Sequence, residues 1–367
     1  MRTKIAIIGG GLSGVYAAYQ LEQCGITDYI LLEARDQLGG RIMDFTSLSQ
    51  ATTNSFDLGP TWFWPEFQPQ LNAIIKTLNL ETFTQYEQGN TLVERSHTQP
   101  PTAMPGYTHA PTSMLLKGGM GTLINALHAK LSNKHIVTGA LVKTITHQHG
   151  NIEVNFSTSN ITDNKVNVEH VMLALPPRLA ASQITFTPAL PSDLVTQWQN
   201  TATWMAPHAK YIAVYDKPFW RKQTLSGSAR SSVGPMAEIH DASNPQGQAA
   251  LFGFIGIPAD DRKRISNEDL IPHCRAQLVR LFGAQAATPK ADIIKDWAQD
   301  PLTATHLDTH AANTHTPAPY ITAQNGPWHQ NLVGIGSEWS VQFPGYVAGA
   351  VDAASISVEH YLKKVKA

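Results

Sequence analysis

The chain has 367 residues, which is enough for a large hydrophobic core and for two domains. Its 27 lysines and arginines nearly balance its 28 aspartates and glutamates. The chain therefore has no large net charge that would attract nucleic acid or an anionic membrane. Cys24 and Cys274 are too few for a disulfide framework or a cysteine-rich metal site, as expected in a reducing compartment.

Two features of the sequence bear on its location. The first predicted strand begins at about residue 4, so we expect no signal peptide. No apolar run approaches the length needed to cross a membrane. We therefore expect a cytoplasmic, soluble protein that binds neither nucleic acid nor membrane. The sequence leaves its oligomeric state open.

A glycine-rich turn follows the first predicted strand, in "KIAIIGGGLSGVYAAYQLE". Gly9, Gly11 and Gly14 fit the pattern G-x-G-x-x-G. In such a turn the first glycine permits a tight bend, the second admits a pyrophosphate, and the third lets the helix pack closely on the strand. The helix N-terminus adds N–H groups and a positive dipole. The turn predicts a phosphate-binding site between a strand and a helix.

The segment after this helix favours a dinucleotide. The apolar run "YILLE" ends in Glu33, whose carboxylate is placed to accept hydrogen bonds from a ribose diol. Gly39 and Gly40 form a second glycine turn, and Arg41 adds a fixed positive charge for the same ligand. This arrangement resembles the flavoprotein form of the motif more than the nicotinamide form.

The middle of the chain contains a long loop and further strands. Residues 94–113 hold four prolines, and we weigh two interpretations equally: a surface loop, or a wall or lid of the active site. "HIVTGALVKTITHQHGNIEVNFST" alternates like a meander of strands. "EHVMLALPP" reads as a buried parallel strand that ends at two prolines.

From Ala209 onward, short alternating runs separated by turn residues predict an antiparallel sheet. Asn267 is expected to cap a helix that ends at Phe282 and buries Cys274. "NLVGIGSEW" predicts one more strand, and a helix rich in small residues follows it.

The fold class that these elements predict is α/β. A Rossmann-like cofactor domain is expected from residues 1–80, 115–204 and 312–367. An inserted substrate domain is expected from residues 81–114 and 205–311, built on an antiparallel sheet with helices.

Over nearly its whole length the sequence resembles the flavin-containing amine oxidases, the monoamine oxidase-like family, of the short bacterial type. The segments that carry this resemblance keep the family's order, and they include "EARDQLGGR", "DLGPTW", "GGMGTL", "LALPP", "AKYIAVYDKPFW" and "GIGSEWSVQFPGYVAGAVDAA".

The resemblance implies an FAD cofactor and assigns residues to it. Gly9, Gly11 and Gly14 would hold the pyrophosphate, Glu33 the adenosine ribose, and the backbone of Val142 the adenine. Arg41 and Glu338 would lie near the pyrophosphate and the ribityl chain, and Tyr346 would cover the flavin. The other residues that the resemblance places at the cofactor are Ala34, Arg35, Gly40, Gly59, Pro60, Thr61 and Gly336.

The resemblance also implies catalytic residues. Lys210 stands ten residues before Trp220, the spacing at which the family holds a lysine that is water-bridged to the flavin N5. Burial in an apolar strand would lower the pKa of such an amine. Tyr346 and Trp297 are the other two residues expected at the catalytic site.

The sequence departs from the family at two positions. Where the best-known members carry a cysteine that binds the flavin covalently, this chain has His306, so FAD is expected to be non-covalent. The next position often holds an aromatic residue facing Tyr346, and here it is Leu307. The substrate pocket is expected to include His306 and Leu307, with Trp62, Trp64 or Trp339 replacing the missing aromatic residue.

The leading functional hypothesis is oxidation of a primary or secondary amine, or of an amino acid, with O2 reduced to H2O2. A flavin desaturase or dehydrogenase acting on another substrate, and a flavin-binding protein without oxidase activity, remain alternatives. A metal site at His306, His310 and His315 is disfavoured, because their spacing fits no closed ligand set.

Overall fold

The computed structural model describes residues 2–46, 55–245, 247–310 and 316–366. The strands, in chain order, are β1 Ile5–Ile8, β2 Tyr29–Leu32, β3 Asp44–Thr46, β4 Ser55–Asp57, β5 Thr82–Thr84, β6 Asn90–Glu94, β7 Thr102–Met104, β8 Met114–Leu116, β9 Ile136–Val137, β10 Leu141–Gln148, β11 Asn151–Ser157, β12 Asn164–Val168, β13 His170–Leu173, β14 Thr185–Thr187, β15 Ala209–Tyr215, β16 Leu225–Ser231, β17 Met236–Asp241, β18 Ala249–Ile255, β19 Ala291–Asp296 and β20 Leu332–Gly334. The α-helices are α1 Leu12–Gln23, α2 Pro69–Thr77, α3 Gly121–His128, α4 Pro177–Gln183, α5 Ser192–Asn200, α6 Ala259–Arg262, α7 Asn267–Phe282 and α8 Val347–Lys366.

A five-stranded parallel sheet gathers segments from distant parts of the chain, in the order β20-β13-β1-β2-β9. β1 and β2 are buried along their whole length, which explains their continuous apolar sequences. Val15, Ala18 and Leu21 of α1 pack in one core with residues of α8. The predicted α/β fold class and the buried strand at residues 170–173 are confirmed.

A seven-stranded sheet is formed mainly by residues 209–296, in the order β19-β15-β18-β17-β16-β6-β7. All its neighbours are antiparallel except β16 and β6, which run parallel. The prediction of an antiparallel sheet therefore holds for five of its six strand pairs, and residues 90–104 supply the last two strands. The ranges proposed above for the two domains stay a prediction.

One predicted helix cap is wrong. Asn267 is the first residue of α7, and the cap is Ser266, whose hydroxyl accepts a hydrogen bond from the backbone N–H of Asp269. Ser266 has the extended conformation that a capping residue needs. Cys274 is buried on the inner face of α7, as expected.

The predicted meander is present. β10 and β11 form an antiparallel hairpin that continues to β12, and β14 joins β10 in parallel. Val142, the second residue of β10, follows β9 closely in the chain. It therefore lies near the edge of the five-stranded sheet at which the parallel strands end.

Candidate active site

A large cavity of about 450 Å³ opens at the carboxyl ends of the parallel strands. Each strand of the sheet supplies lining residues just beyond its end, namely Gly9, Glu33, Ala140, Ala174 and Gly336. Ligands of open parallel sheets bind at this edge. The topology alone therefore makes this cavity the first candidate for a cofactor site.

The glycine turn leaves no room for side chains at two of its positions. Gly9 has φ +106°, and a Cβ there would lie 2.6 Å from the carbonyl oxygen of Ala174. A Cβ on Gly14 would lie 2.0 Å from the oxygen of Gly9, so Gly14 packs α1 on the turn and does not line the cavity. Around Gly11, by contrast, the nearest atom to a Cβ is 3.8 Å away. The chain can therefore approach a ligand closely at Gly11.

The N-terminus of α1 faces this turn without a side-chain cap. Gly11 is its N-cap residue, and the first turn contains no acidic side chain. The backbone N–H groups at the helix start are thus left for a ligand, and the dipole favours an anion there.

Glu33 lies beside the turn with its carboxylate buried. Its Oε2 accepts a hydrogen bond of 2.6 Å from Gly10 N, and its Oε1 accepts one of 2.7 Å from Arg35 N. Burial raises the pKa of Glu33, and the two backbone N–H donors partly oppose this. Each oxygen keeps a further lone pair with which to accept a hydrogen bond from a diol.

Arg41 pairs with Glu338 across the cavity wall. Its Nη1 and Nη2 donate to the two carboxylate oxygens of Glu338 at 2.5 and 2.9 Å, and Nη2 also donates to Ser337 Oγ at 3.1 Å. Burial alone would lower the pKa of Arg41, but the Glu338 carboxylate outweighs it and raises the pKa. Arg41 lines the cavity and Glu338 does not. Glu338 therefore holds Arg41 in place, and its expected position beside the cofactor stays a prediction.

Lys210 projects from β15, a strand that is buried throughout, and its side chain is only 3% exposed. Its Nζ donates to Asp57 O and Thr61 Oγ1, both at 2.6 Å, and to Gly59 O at 3.2 Å. It also lies 4.0 Å from the centre of the Phe252 ring. Burial lowers the pKa of Lys210, and the Asp57 carboxylate raises it part of the way back. Three acceptors around one nitrogen match the three donors of an ammonium group.

Aromatic residues form another part of the wall. The rings of Trp64 and Tyr346 meet edge to face, with centres 6.3 Å apart. Trp62 Nε1 donates to Gln85, and Trp64 Nε1 donates to Ser113. Because both indole N–H groups have partners, the tryptophan rings are held in fixed orientations.

Trp62 and Trp64 also line a second, smaller cavity of about 100 Å³. Titratable side chains from three segments line its other sides: Glu87, His109, and Glu238 and His240 of β17. Glu87 pairs with His109, and Glu238 with His240 at 3.0 Å. The His240 hydrogen bond lowers the pKa of Glu238 against the opposing effect of burial. The sequence analysis missed these four residues.

Residues 94–113, expected to be one long loop, include strand β7, and the segment contributes to this small cavity through Tyr107, His109 and Ser113. Of the two interpretations left open above, a surface loop or a wall of the active site, the structure therefore favours a segment that forms a cavity wall. Its many prolines were the only sequence feature that could have pointed there.

Most of the residues expected at the cofactor come together, and three of the five expected at the substrate do not. The large cavity is lined by Gly9, Gly11, Glu33, Ala34, Arg35, Gly40, Arg41, Gly59, Pro60, Thr61, Trp62, Trp64, Val142, Lys210, Trp297, Gly336 and Tyr346. His306 and Leu307 are exposed and line neither cavity. Trp339 is buried against Trp198, with ring centres 5.5 Å apart, and lines neither cavity.

In the part of the chain that the structure describes, no three histidine, cysteine or acidic side chains are placed to hold a metal ion. His315 lies outside the described residues. Within those same residues, no helix has the length and apolar character to cross a membrane.

Comparison with known proteins decides the family. The family described as flavin containing amine oxidoreductase matches residues 107–360, more than half of the chain. The chain belongs to this family. A NAD(P)-binding Rossmann-like domain matches residues 7–78.

The relatives of the chain in this family are distant and span most of its length. The "Probable flavin-containing monoamine oxidase A" of Dictyostelium discoideum is 22% identical over 95% of each chain. The putrescine oxidase of Kocuria rosea is 24% identical over 72% of this chain and 77% of its own. Among solved structures, the cyclohexylamine oxidase of Brevibacterium oxydans superposes with a TM-score of 0.81 at 19% identity, covering 100% of both chains.

The chain is thus a flavin-dependent oxidoreductase with FAD as its cofactor. The residues around the large cavity fit this group. Uncapped N–H groups at the start of α1 and the Arg41 guanidinium suit its phosphates, and the Glu33 carboxylate suits a ribose.

We expect Glu33→Ala to weaken FAD binding about tenfold to a hundredfold, because a buried diol would lose its acceptors at a cost of about 1–3 kcal/mol. Titration of FAD-free protein with FAD, followed by flavin fluorescence, measures this. Glu153→Ala, at a half-exposed carboxylate on another sheet, is the matched control and should leave the affinity unchanged. Equal affinities in the two variants would contradict the role given to Glu33.

Proposed function

We propose that this chain oxidises a primary or secondary amine, or an amino acid, to the imine, with O2 reduced to H2O2. The carbon beside the nitrogen gives up two electrons and a proton, the nitrogen loses a second proton, and water then hydrolyses the imine. FAD, when bound, accepts the electrons and passes them to oxygen. The observation that carries the proposal is the buried Lys210 ammonium on the same cavity as the Trp64–Tyr346 pair.

The protein's own residues would hold the cofactor and the substrate. Gly9, Gly11 and the start of α1 would hold the pyrophosphate, with Arg41 beside it. Val142 lines the large cavity near the edge where the parallel strands end, and it would meet the adenine. Tyr346 and Trp64 would flank the amine nitrogen, and apolar walls would exclude water from it.

Trp64 takes the place of an aromatic residue that the sequence lacks at Leu307. Leu307 is exposed, so its aliphatic character does not bear on the cavity. A missing aromatic residue at Leu307 would favour a desaturase or a dehydrogenase on a non-amine substrate. Because Leu307 lines neither cavity, it does not support that alternative. We keep that alternative, and that of an inactive flavin-binding protein, as outcomes of the test.

The experiment mixes the purified protein anaerobically with monoamines, diamines and amino acids while the visible absorbance of the flavin is followed. We include diamines because a related putrescine oxidase has been solved with putrescine and because Glu87 and Glu238 line the small cavity. Bleaching by an amine, and peroxide on admitting air, support the proposal. Bleaching without peroxide indicates a dehydrogenase, and no bleaching by any amine overturns amine oxidation.

We expect FAD to be bound non-covalently. Among the described residues, the cavity lining contains no cysteine, and His306 lies outside it. Acid precipitation of the yellow protein should release intact FAD into the supernatant, which chromatography identifies. Flavin that stays on the precipitate would contradict this and point to a covalent bond.

A further inference from the structure

Asp57, whose backbone contacts Lys210, and Asp44, which lies opposite Asp57, carry two carboxyl groups that the proposed reaction does not use. Asp44 on β3 and Asp57 on β4 are opposite each other in a two-stranded antiparallel sheet. Asp57 is buried, and Asp44 Oδ1 is buried without a hydrogen-bond partner among the described residues. Carboxyls on directly opposite residues are close enough to repel each other when both are ionised.

The segment "GGMG" encloses this acid pair. Met120 N, at the start of α3, donates a hydrogen bond of 2.6 Å to Asp57 Oδ1. A Cβ on Gly119 would lie 3.0 Å from the same oxygen, and one on Gly121 would lie 1.8 Å from Asp44 Oδ2. These glycines let the backbone come against both carboxyls, so little space remains for water around them.

Asp57 is in direct contact with Lys210. Its backbone oxygen accepts the 2.6 Å hydrogen bond from Nζ, and its carboxylate is the charged group that raises the pKa of Lys210 against burial. Burial in turn raises the pKa of Asp57, Lys210 lowers it, and Asp44 raises it further. The three groups therefore form one electrostatic unit.

Three other titratable side chains lie just before the same strand, on the neighbouring strand or on the cavity wall, and none of them is among the groups that shift the pKa of Lys210. Lys295 on β19 is its cross-strand neighbour and pairs with Asp300 at 2.6 Å. Arg41 on the cavity wall pairs with Glu338. His208 lies two residues before Lys210, and burial together with nearby Arg262 lowers its pKa, which favours the neutral ring.

We propose that Asp57 sets the charge of Lys210 by keeping it an ammonium at neutral pH, and that Asp44 acts on Lys210 only through Asp57. Asp57 and Asp44 are positioning residues, because they act through Lys210. The inference rests on the proposed function in one respect: the charge of Lys210 matters to the reaction only if a flavin binds beside it.

The two carboxyls should differ in their effect on Lys210. Removing the Asp57 charge leaves burial unopposed, so the pKa of Lys210 falls, by about 1–3 units for a neighbouring opposite charge. Asp44 is not among the groups that shift the pKa of Lys210, so removing its charge should move that pKa much less. A general disturbance of the acid pair would move the pKa of Lys210 alike in both variants.

The test is an NMR titration of the FAD-loaded protein labelled with ¹³C at the lysine ε-carbons. The Lys210 signal is identified by its loss in Lys210→Met. The midpoint of its titration should fall in Asp57→Asn, which keeps the Oδ1 acceptor for Met120, and move much less in Asp44→Asn. Glu153→Gln, at a carboxylate on another sheet, should leave it in place.

A fall in Asp57→Asn with a much smaller shift in Asp44→Asn supports the proposal. An unchanged midpoint in Asp57→Asn, or an equal shift in both variants, overturns it. If Asp57→Asn fails to fold, Asp57→Ser removes the same charge and replaces it in the test. The titration needs no turnover, so shifted midpoints in a protein that no amine bleaches would uphold this inference and reject the proposed function.

Discussion

Replacing Lys210 by methionine is expected to slow the reoxidation of the reduced enzyme by oxygen about a hundredfold, while FAD stays bound. A buried cation stabilises the negative charge that develops as oxygen accepts electrons. A contribution of about 3 kcal/mol corresponds to roughly a hundredfold in rate. Methionine keeps most of the volume and can pack beside Phe252. Because it leaves the acceptors at Asp57 and Thr61 without their donor, we also expect a loss of about 1–3 kcal/mol in the free energy of unfolding.

Stopped-flow mixing of the anaerobically reduced protein with oxygenated buffer measures the rate. Lys295→Met is the matched control, because Lys295 is the cross-strand neighbour of Lys210 but lines neither cavity and has its own partner in Asp300. Lys210→Gln separates charge from hydrogen bonding, since glutamine donates without a charge. A reoxidation rate in Lys210→Met equal to that of Lys295→Met would leave Lys210 without a role in this step.

Arg41→Ala is expected to lower the free energy of unfolding by about 3–5 kcal/mol and to abolish retention of FAD. Glu338 is only 2% exposed, so removing Arg41 leaves a buried charge without its partner. The same change removes a cation from the cavity lining. Urea denaturation of the FAD-free protein measures the stability, and the flavin content after gel filtration measures the retention.

Two further variants test the reason given for Arg41. The double variant Arg41→Ala with Glu338→Ala should recover part of the lost stability, since no buried charge remains. It should not recover FAD. Lys165→Ala breaks the exposed pair with Glu153 and should cost no more than about 1 kcal/mol. A loss in Arg41→Ala as small as that in Lys165→Ala would show that the pair contributes little.

The residues expected at the cofactor could be selected from the sequence because most of them lie in short, continuous segments. The turn around Gly9 and Gly11, and Glu33 at the end of the next strand, are fixed by a short run of chain with a known backbone path. Lys210 was predictable only through its spacing to Trp220 in the family. The reason for its burial, three acceptors supplied by residues 57–61, depends on contacts that no local pattern encodes.

The substrate side was predicted less well because it depends on side-chain direction. Counting residues along the chain identified His306 and Leu307, but both point to solvent. Trp339 follows the last strand closely, yet its ring packs over Gly334, where a Cβ would lie 2.0 Å from the indole. The small cavity unites residues 85–113 with β16 and β17, and only the tertiary fold brings them together.

The pairing of Arg41 with Glu338 joins positions 297 residues apart in the chain. β20 and α8 are likewise made long after β1 and α1. Yet β20 lies in the same parallel sheet as β1, and α8 shares a core with α1. During synthesis on a ribosome, the N-terminal glycine turn therefore emerges well before the residues that complete its surroundings. A nascent chain cannot complete the lining of the large cavity until nearly all of it has been translated. With FAD placed in this cavity, as proposed, cofactor binding would follow the end of synthesis, and a product without the C-terminal residues would hold FAD poorly.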